Sequence, residues 1–412
     1  MKCRTKTILL LVVLIPTPLA ACLWDSDTLA ERRMLEEERE QFSTVVLNLI
    51  TGKFRRHSPA MYEWRIADRK KRLIEEPENV ALYDDLAVAY EKTGQTDLAI
   101  ETILKKDKIR PGLYETHANL GTFYIHAGRL KEGLKEIEKA IEINPAAHFG
   151  REIYQRLLVE YVVTKTTDGK LQLPMSSDSN VGATYGFGSY VVESRLRGAS
   201  WTIDEFREES EKAIEGILGM MRFGNYDSPV LLEALSDLLV MRFDQTQATR
   251  SNLWMIGKTQ TKQLAARALL QASYMSTAPK QKSEYRQKAE NVLSTQAPAD
   301  ETSGRKLIPI EFETQFLAEL DAGMAWYENI VRQEELWISY QPDPEIESAR
   351  RVSNKPSRSE REAIVVREKP TLLPILGKVG LALAGLGCLG MLYNIRVSRR
   401  VPVANDDSSG FT

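Results

Sequence analysis

Cysteine is nearly absent from this chain of 412 residues, occurring only at positions 3, 22 and 388. Residues 23–370 therefore hold no internal disulfide and no thiol chemistry. Histidine is scarce as well, with only His57, His117, His126 and His148. Neither HExxH nor GxSxG occurs, so the zinc-protease and serine-hydrolase patterns find no support. A carboxylate pair, which needs no histidine, stays open as an alternative among the many Asp and Glu residues. No strong excess of one charge is present: 55 basic against 57 acidic residues give −2 overall. Residues 1–22 carry +3 and residues 371–412 carry +2, which leaves −7 for residues 23–370. An acidic body argues against nucleic acid as partner. No catalytic residue, metal ligand or cofactor is assigned.

Long apolar runs are confined to the two ends. The first, "MKCRTKTILLLVVLIPTPLAAC", places Lys2, Arg4 and Lys6 before an apolar stretch from Ile8 to Ile15 and ends in small residues. That order is expected of a secretory signal over residues 1–22. Its close, Leu19-Ala20-Ala21-Cys22, resembles the bacterial lipobox, and the resemblance implies that Cys22 is a lipid attachment site. Cleavage at an ordinary signal-peptidase site, with Cys22 incidental, is the alternative. The second run, residues 371–395, spans about 37 Å as a helix at 1.5 Å per residue, enough to cross a bilayer core of about 30 Å. Lys378 and Tyr393 suit the two interfaces. Basic residues flank this run on both sides, so the orientation is taken from the signal. Everything up to residue 370 is expected to be exported, with 396–412 as a cytoplasmic tail. Gly380, Ala384 and Cys388 form a small-residue row of low specificity.

The body is organised by a repeat. Leu86 aligns with Leu120, Ala87 with Gly121, Tyr90 with Tyr124, Gly94 with Gly128, Ala99 with Gly133, Ile103 with Ile137 and Pro111 with Pro145, always 34 residues apart. Leu and Tyr four residues apart share one face of a first helix. The small residues let a second helix approach, Gly94 and Gly128 end the first helix, and the prolines stop the second.

This pattern resembles the tetratricopeptide repeat (TPR) in two consecutive units, 80–113 and 114–147, with Tyr83 and His117 at the fourth position. The resemblance implies an all-α solenoid of helical hairpins. It also assigns the concave surface to Asp84, Val88, Glu91 and Lys92 in one unit and Ala118, Thr122, Ile125 and His126 in the next. Asp84 and Val88 depart from the Lys and Asn by which some TPR domains clamp a terminal carboxylate. The stretches "CLWDSDTL", "YDDLAVAYEK", "YETHANLGTF" and "NPAAHFGREIYQRLLVEY" are similar to a group of uncharacterised bacterial exported TPR proteins. That group implies no activity.

Other segments are read around the repeats. Residues 23–79 are expected to be N-terminal capping helices, with Ser58-Pro59 opening the second. Residues 80–163 hold the two units and the first helix of a third. Residues 164–200 read as a loop insertion, with a tight hairpin turn at Asp168-Gly169 and a mobile Ser/Gly-rich remainder. The cluster Gly182, Gly186, Gly188 lacks the Lys-Ser or Lys-Thr of a phosphate loop, and Gly257-Lys258-Thr259 lacks the earlier glycine, since Asn252 stands there. Residues 201–340 are expected to be helical, from a capping box at Thr202 and Glu205 to a long last helix at about 310–340 that covers the array. Residues 341–370 read as a disordered stalk.

The function expected is a membrane-anchored scaffold that holds a protein or peptide segment at the exoplasmic face of a bacterial membrane. An envelope hydrolase using carboxylates and a structural spacer without a ligand are the alternatives.

Overall fold

A computed structural model describes residues 42–145, 150–176, 186–197, 201–245, 252–294 and 308–341. The signal, Cys22, the segment 23–41, the stalk, the apolar run 371–395 and the tail lie outside the described residues. Among the described residues no helix is long and apolar enough to cross a membrane.

The described fold is all-α apart from one small hairpin. Helix α1 covers Phe42–Thr51 and α2 covers Pro59–Glu75. The first repeat is α3 (Val80–Lys92) with α4 (Thr96–Ile109), and the second is α5 (Tyr114–His126) with α6 (Leu130–Ile143). Both first helices stop in the same way. Gly94 and Gly128 each take φ +75°, which only glycine reaches without steric cost. The next N–H reaches back five residues, Gln95 to the Tyr90 carbonyl and Arg129 to that of Tyr124, each at 2.8 Å. This closes the Schellman turn that satisfies the last carbonyls of the helix.

Hairpin packing depends on the small positions. Ala87 and Ala99 are fully buried where α3 crosses α4. In the second unit the approach is closer: a Cβ on Gly121 would lie 2.7 Å from Ile137 Cδ1, and one on Gly133 only 2.5 Å from Ile125 Cγ1. Ile137 and Ile125 are thereby sealed completely, each burial stabilising by about 1.5–3 kcal/mol.

The third hairpin is interrupted. Helix α7 (Arg151–Thr164) occupies the place of a first helix, but its partner comes only after an insertion. That partner is α9 (Ile203–Met220), which packs on α7 and receives the Tyr154 hydroxyl on Glu209 at 2.9 Å. Thr202 and Glu205 form the capping box at its start, and Phe206, Ala213, Ile214, Ile217 and Leu218 are buried.

Within the insertion, β1 (Thr166–Thr167) pairs antiparallel with β2 (Lys170–Leu171) across Asp168-Gly169, as the turn chemistry predicts. The mobile remainder is corrected in part. Residues Phe187–Arg195 form α8, with Phe187 and Val191 buried. Glycine there serves approach rather than flexibility, since a Cβ on Gly186 or Gly188 would meet Asp237 or Met241. Asp237 also accepts the Phe187 N–H at 3.0 Å, at the first turn of α8.

Helices α10 (Pro229–Gln245), α11 (Asn252–Met275) and α12 (Pro279–Ser294) complete the C-terminal half. The residues expected to cap the N-terminus part company. Helix α2 packs on α3, whereas α1 packs on α11, with Val46, Leu49 and Ile50 inside the large C-terminal core.

Helix α13 (Ile310–Tyr340) joins the two ends. Its first half accepts Tyr274 (2.9 Å) and Arg286 (2.7 Å) on Glu313 and Arg267 (2.6 Å) on Glu319. At its middle, a Cβ on Gly323 would lie 2.3 Å from the Thr51 carbonyl. Its second half meets α2, where Glu334 bonds the His57 ring and the Ser58 N–H, and Trp337 packs edge-on against Trp64. Burial alone would raise the Glu334 carboxyl, but those two partners hold it below its ordinary value. So α13 is less a cover over the last repeat than a strap between the C-terminal helices and the N-terminal ones.

Replacing Gly133 by Val puts methyl groups into the α5 backbone. We expect a loss of about 1–3 kcal/mol or more in a urea melt, against less than about 1 kcal/mol for Ala127→Ser, which lies on the exposed surface.

Candidate functional site: the inner face of the repeats

The eight residues assigned to the concave surface lie on α3 and α5, yet they do not form an open wall. Asp84, Val88, Ala118, Thr122 and Ile125 are buried, while Glu91, Lys92 and His126 are half-buried. Val88 packs into the α3–α4–α5 core and Ile125 against Ile137 and Val159. Thr122 meets the Gln155 amide of α7 at 3.3 Å. The expected surface is therefore corrected for these five residues: they build the stack rather than face a ligand.

Asp84 illustrates why. Its two carboxylate oxygens take the Lys106 ammonium at 2.8 and 2.7 Å, and the Asn119 amide donates to one of them at 3.1 Å. Lys106 is 1% exposed. Burial pushes the Asp84 carboxyl up to about 7 even against the pull of that ammonium. Neither Lys106 nor Asn119 was singled out by the repeat pattern. A signal did exist: 34 residues on, Asp84 becomes Ala118 and Lys106 becomes Ala140, and these two alanines pack together with Tyr114. One unit fills the position with an ion pair, the next with two methyl groups.

Part of the inner face is occupied by the chain itself. Between α9 and α10 the backbone makes a π-type turn, Met221–Asn225, kinked at Gly224 (φ −104°, ψ −111°). Lys92 donates to the Gly224 carbonyl at 2.6 Å, and the Arg151 guanidinium lies 5.2 Å from the Phe223 ring centroid. Beyond the turn, Tyr226 packs edge-on to Phe54 and under Arg56, whose guanidinium also sits 3.5 Å over the Tyr327 ring. Burial raises the Asp227 carboxyl, with Arg56 and Lys92 opposing.

Glu91 and His126 remain. Glu91 Oε1 and His126 Nδ1 are 2.5 Å apart, linking α3 to α5 across the two units. Their side chains are 9% and 8% exposed, and Glu91 Oε2 and His126 Nε2 are buried without a hydrogen-bond partner. Unpaired buried polar atoms are uncommon and costly, and these two mark a polar contact between the units that the described residues leave incomplete.

A second polar cluster must be weighed as chemistry. Ser176 Oγ lies 2.5 Å from Lys288 Nζ, at the base of an open recess of about 630 Å³ between the loop after β2 and α12. A serine–lysine pair can act as nucleophile and base only if the lysine is neutral. Here burial would favour neutrality, but Glu233 at 2.6 Å and Asp237 hold the Lys288 ammonium above its ordinary pKa. The N–H groups of Met175 and Ser176, the kind of donor pair an oxyanion needs, are both spent on Glu233, as is the Tyr285 hydroxyl. The cluster pins the loop to α10 and α12. Among the described residues no three His, Cys, Asp or Glu side chains converge as a metal site.

Antiparallel helix pairs of 34-residue period, crossing at small residues and ending in matched glycine turns, define a helical-repeat solenoid. Comparison with family models makes the class specific: residues 114–146 match the tetratricopeptide repeat. Residues 114–146 thus form a tetratricopeptide repeat, and residues 80–113 repeat its geometry. No curated protein matches the chain.

Asp84→Asn leaves the Lys106 ammonium buried without a counter-charge, and we expect it to cost about 3–5 kcal/mol by chemical denaturation. Asp84→Ala combined with Lys106→Ala adopts the solution of the second unit and should recover most of that loss. A double variant as unstable as Asp84→Asn would contradict the pairing.

Proposed function

We propose that this protein is an interaction scaffold that holds a segment of a partner protein on the inner face of its repeats. The observation that carries this reading is the Glu91–His126 pair, buried between two units with one atom of each left unpaired. A rotation of either side chain would bring Glu91 Oε2 and His126 Nε2 to a peptide crossing the groove, which would supply a donor for the first and a complement for the second, and α-solenoids use this inner surface for extended ligands. The net charge of −7 on residues 23–370 favours a segment that is basic or apolar rather than acidic.

The scaffold is further proposed to be tethered. The signal, the apolar run 371–395 and the lipobox-like Cys22 support a protein whose body is exported and whose tail stays in the cytoplasm, placing the groove opposite other envelope proteins. On this reading Cys22→Ala abolishes metabolic palmitate labelling, while the protein stays in the membrane fraction through residues 371–395. Labelling that survives the change rejects the lipid.

The groove is tested by crosslinking on intact membranes followed by mass spectrometry, comparing the native chain with Glu91→Gln plus His126→Leu. We expect a specific partner to be lost while the helical circular dichroism signal is unchanged. A partner retained at full yield places binding elsewhere, and no partner with either chain leaves a spacer.

A further inference from the structure

The long helix α13 carries an apolar row that is largely exposed among the described residues. Its inward side is defined by Phe316 and Gly323, both buried. Beside that side runs a line of apolar residues seven apart: Ile310, Leu317, Met324, Val331 and Ile338. The first three are 74%, 47% and 59% exposed, and the last two are half-buried. Residues seven apart fall along one line of a helix, so these five make a single apolar row that can serve as one side of a seam with another helix.

An acidic line accompanies the seam. Asp321, Glu328 and Glu335 each stand four residues after Leu317, Met324 and Val331, and all three are exposed. The 31 residues of α13 contain seven acids and a single base, Arg332, which pairs with Glu328 at 3.8 Å. Three of the acids, Glu313, Glu319 and Glu334, are consumed by Arg286, Arg267 and His57 on the inward side. The outward ones border the seam, in the place where charges select the partner of a coiled pair.

We propose that this face docks an amphipathic helix of another protein, with apolar residues at heptad spacing flanked by Lys or Arg. The seam from Ile310 to Ile338 is about 42 Å long at 1.5 Å per residue, room for four heptads. Charge selects among the possible occupants. A second copy of α13 would bring its own acidic line against this one, in which like charges oppose association. Residues 24–41 carry seven acids against three bases and meet the same repulsion. Residues 341–370 carry seven bases against six acids, but their one apolar run, Ala363–Val366, covers about a single turn of the seam. This surface is separate from the Glu91–His126 groove, so it stands or falls independently of that reading.

The test uses the full chain in detergent and two labelled synthetic helices of four heptads, identical in their Leu/Ile seam and flanked in one by Lys and in its twin by Glu. Binding is read by fluorescence anisotropy. We expect the Lys peptide to bind at least about tenfold more tightly than its twin, a difference of about 1.4 kcal/mol. The preference should invert with Asp321→Lys, Glu328→Lys and Glu335→Lys together, and binding should vanish with Met324→Lys. These positions are exposed, and an unchanged helical circular dichroism signal confirms each fold. Equal binding of the twins, or a preference that does not invert, overturns the proposal. So does loss of peptide binding in the Glu91→Gln, His126→Leu variant, which would place the peptide in the groove. A concentration-dependent dimer abolished by Met324→Lys would make a second copy the occupant. Peptide binding that emerges only after deletion of 24–41 or 341–370 would make the chain its own occupant. Either result rejects the partner helix.

Discussion

The close crossing of paired helices is the constraint on which the rest of this structure depends. Where α5 meets α6 there is no room for a Cβ on Gly121 or Gly133, and where α3 meets α4 the small side chains of Ala87 and Ala99 are fully buried. That separation fixes how far each hairpin lies from the next and therefore which side chains meet between units. It brings Asp84 within reach of both Lys106 on its own partner helix and Asn119 on the following unit. It also sets Glu91 against His126. Dispersion contacts fall off steeply with distance, so one methyl group at either glycine would loosen the apolar core and misalign these polar contacts together.

Charges inside this protein are used as fasteners. The Asp84–Lys106 pair ties a hairpin to itself, and Glu233 gathers Lys288, Tyr285, Ser176 and two backbone N–H groups to fix a loop that has no helix of its own. Both clusters are saturated, and saturation is what makes a buried ion tolerable. Saturation also separates them from reactive sites, since a lysine held between two carboxylates has no lone pair to give. The Glu91–His126 pair leaves one atom of each partner unpaired, and that is the ground on which we propose the interaction surface there.

Much of this could be read from the residues in order. Period 34, the small positions, the glycine stops and the capping box at Thr202 each follow from local stereochemistry, and α13 was legible as one long apolar-faced helix. What could not be read was return contact. A repeat pattern says which face of α3 points inward but not that Met221–Asn225 will come back to meet Lys92. Helix α8 was hidden for a related reason: Gly186 and Gly188 look like flexible composition until Asp237 and Met241, about fifty residues away, are seen to need the space. The apolar half of α1 likewise finds its groove on α11, some two hundred residues downstream. Lys106 was within reach, because its replacement by Ala140 in the next unit marks a position under a special requirement.

An open array of repeats can unravel one unit at a time, because each touches only its neighbours. The strap formed by α13 removes that freedom here. By binding α12 through Glu313 and α2 through Glu334, it makes the beginning and end of residues 42–341 depend on the same helix, so local fraying at either terminus must first release the other. During synthesis the early hairpins stand without this closure until residue 340 has left the ribosome, so until then each is held only by its own crossing and its neighbours.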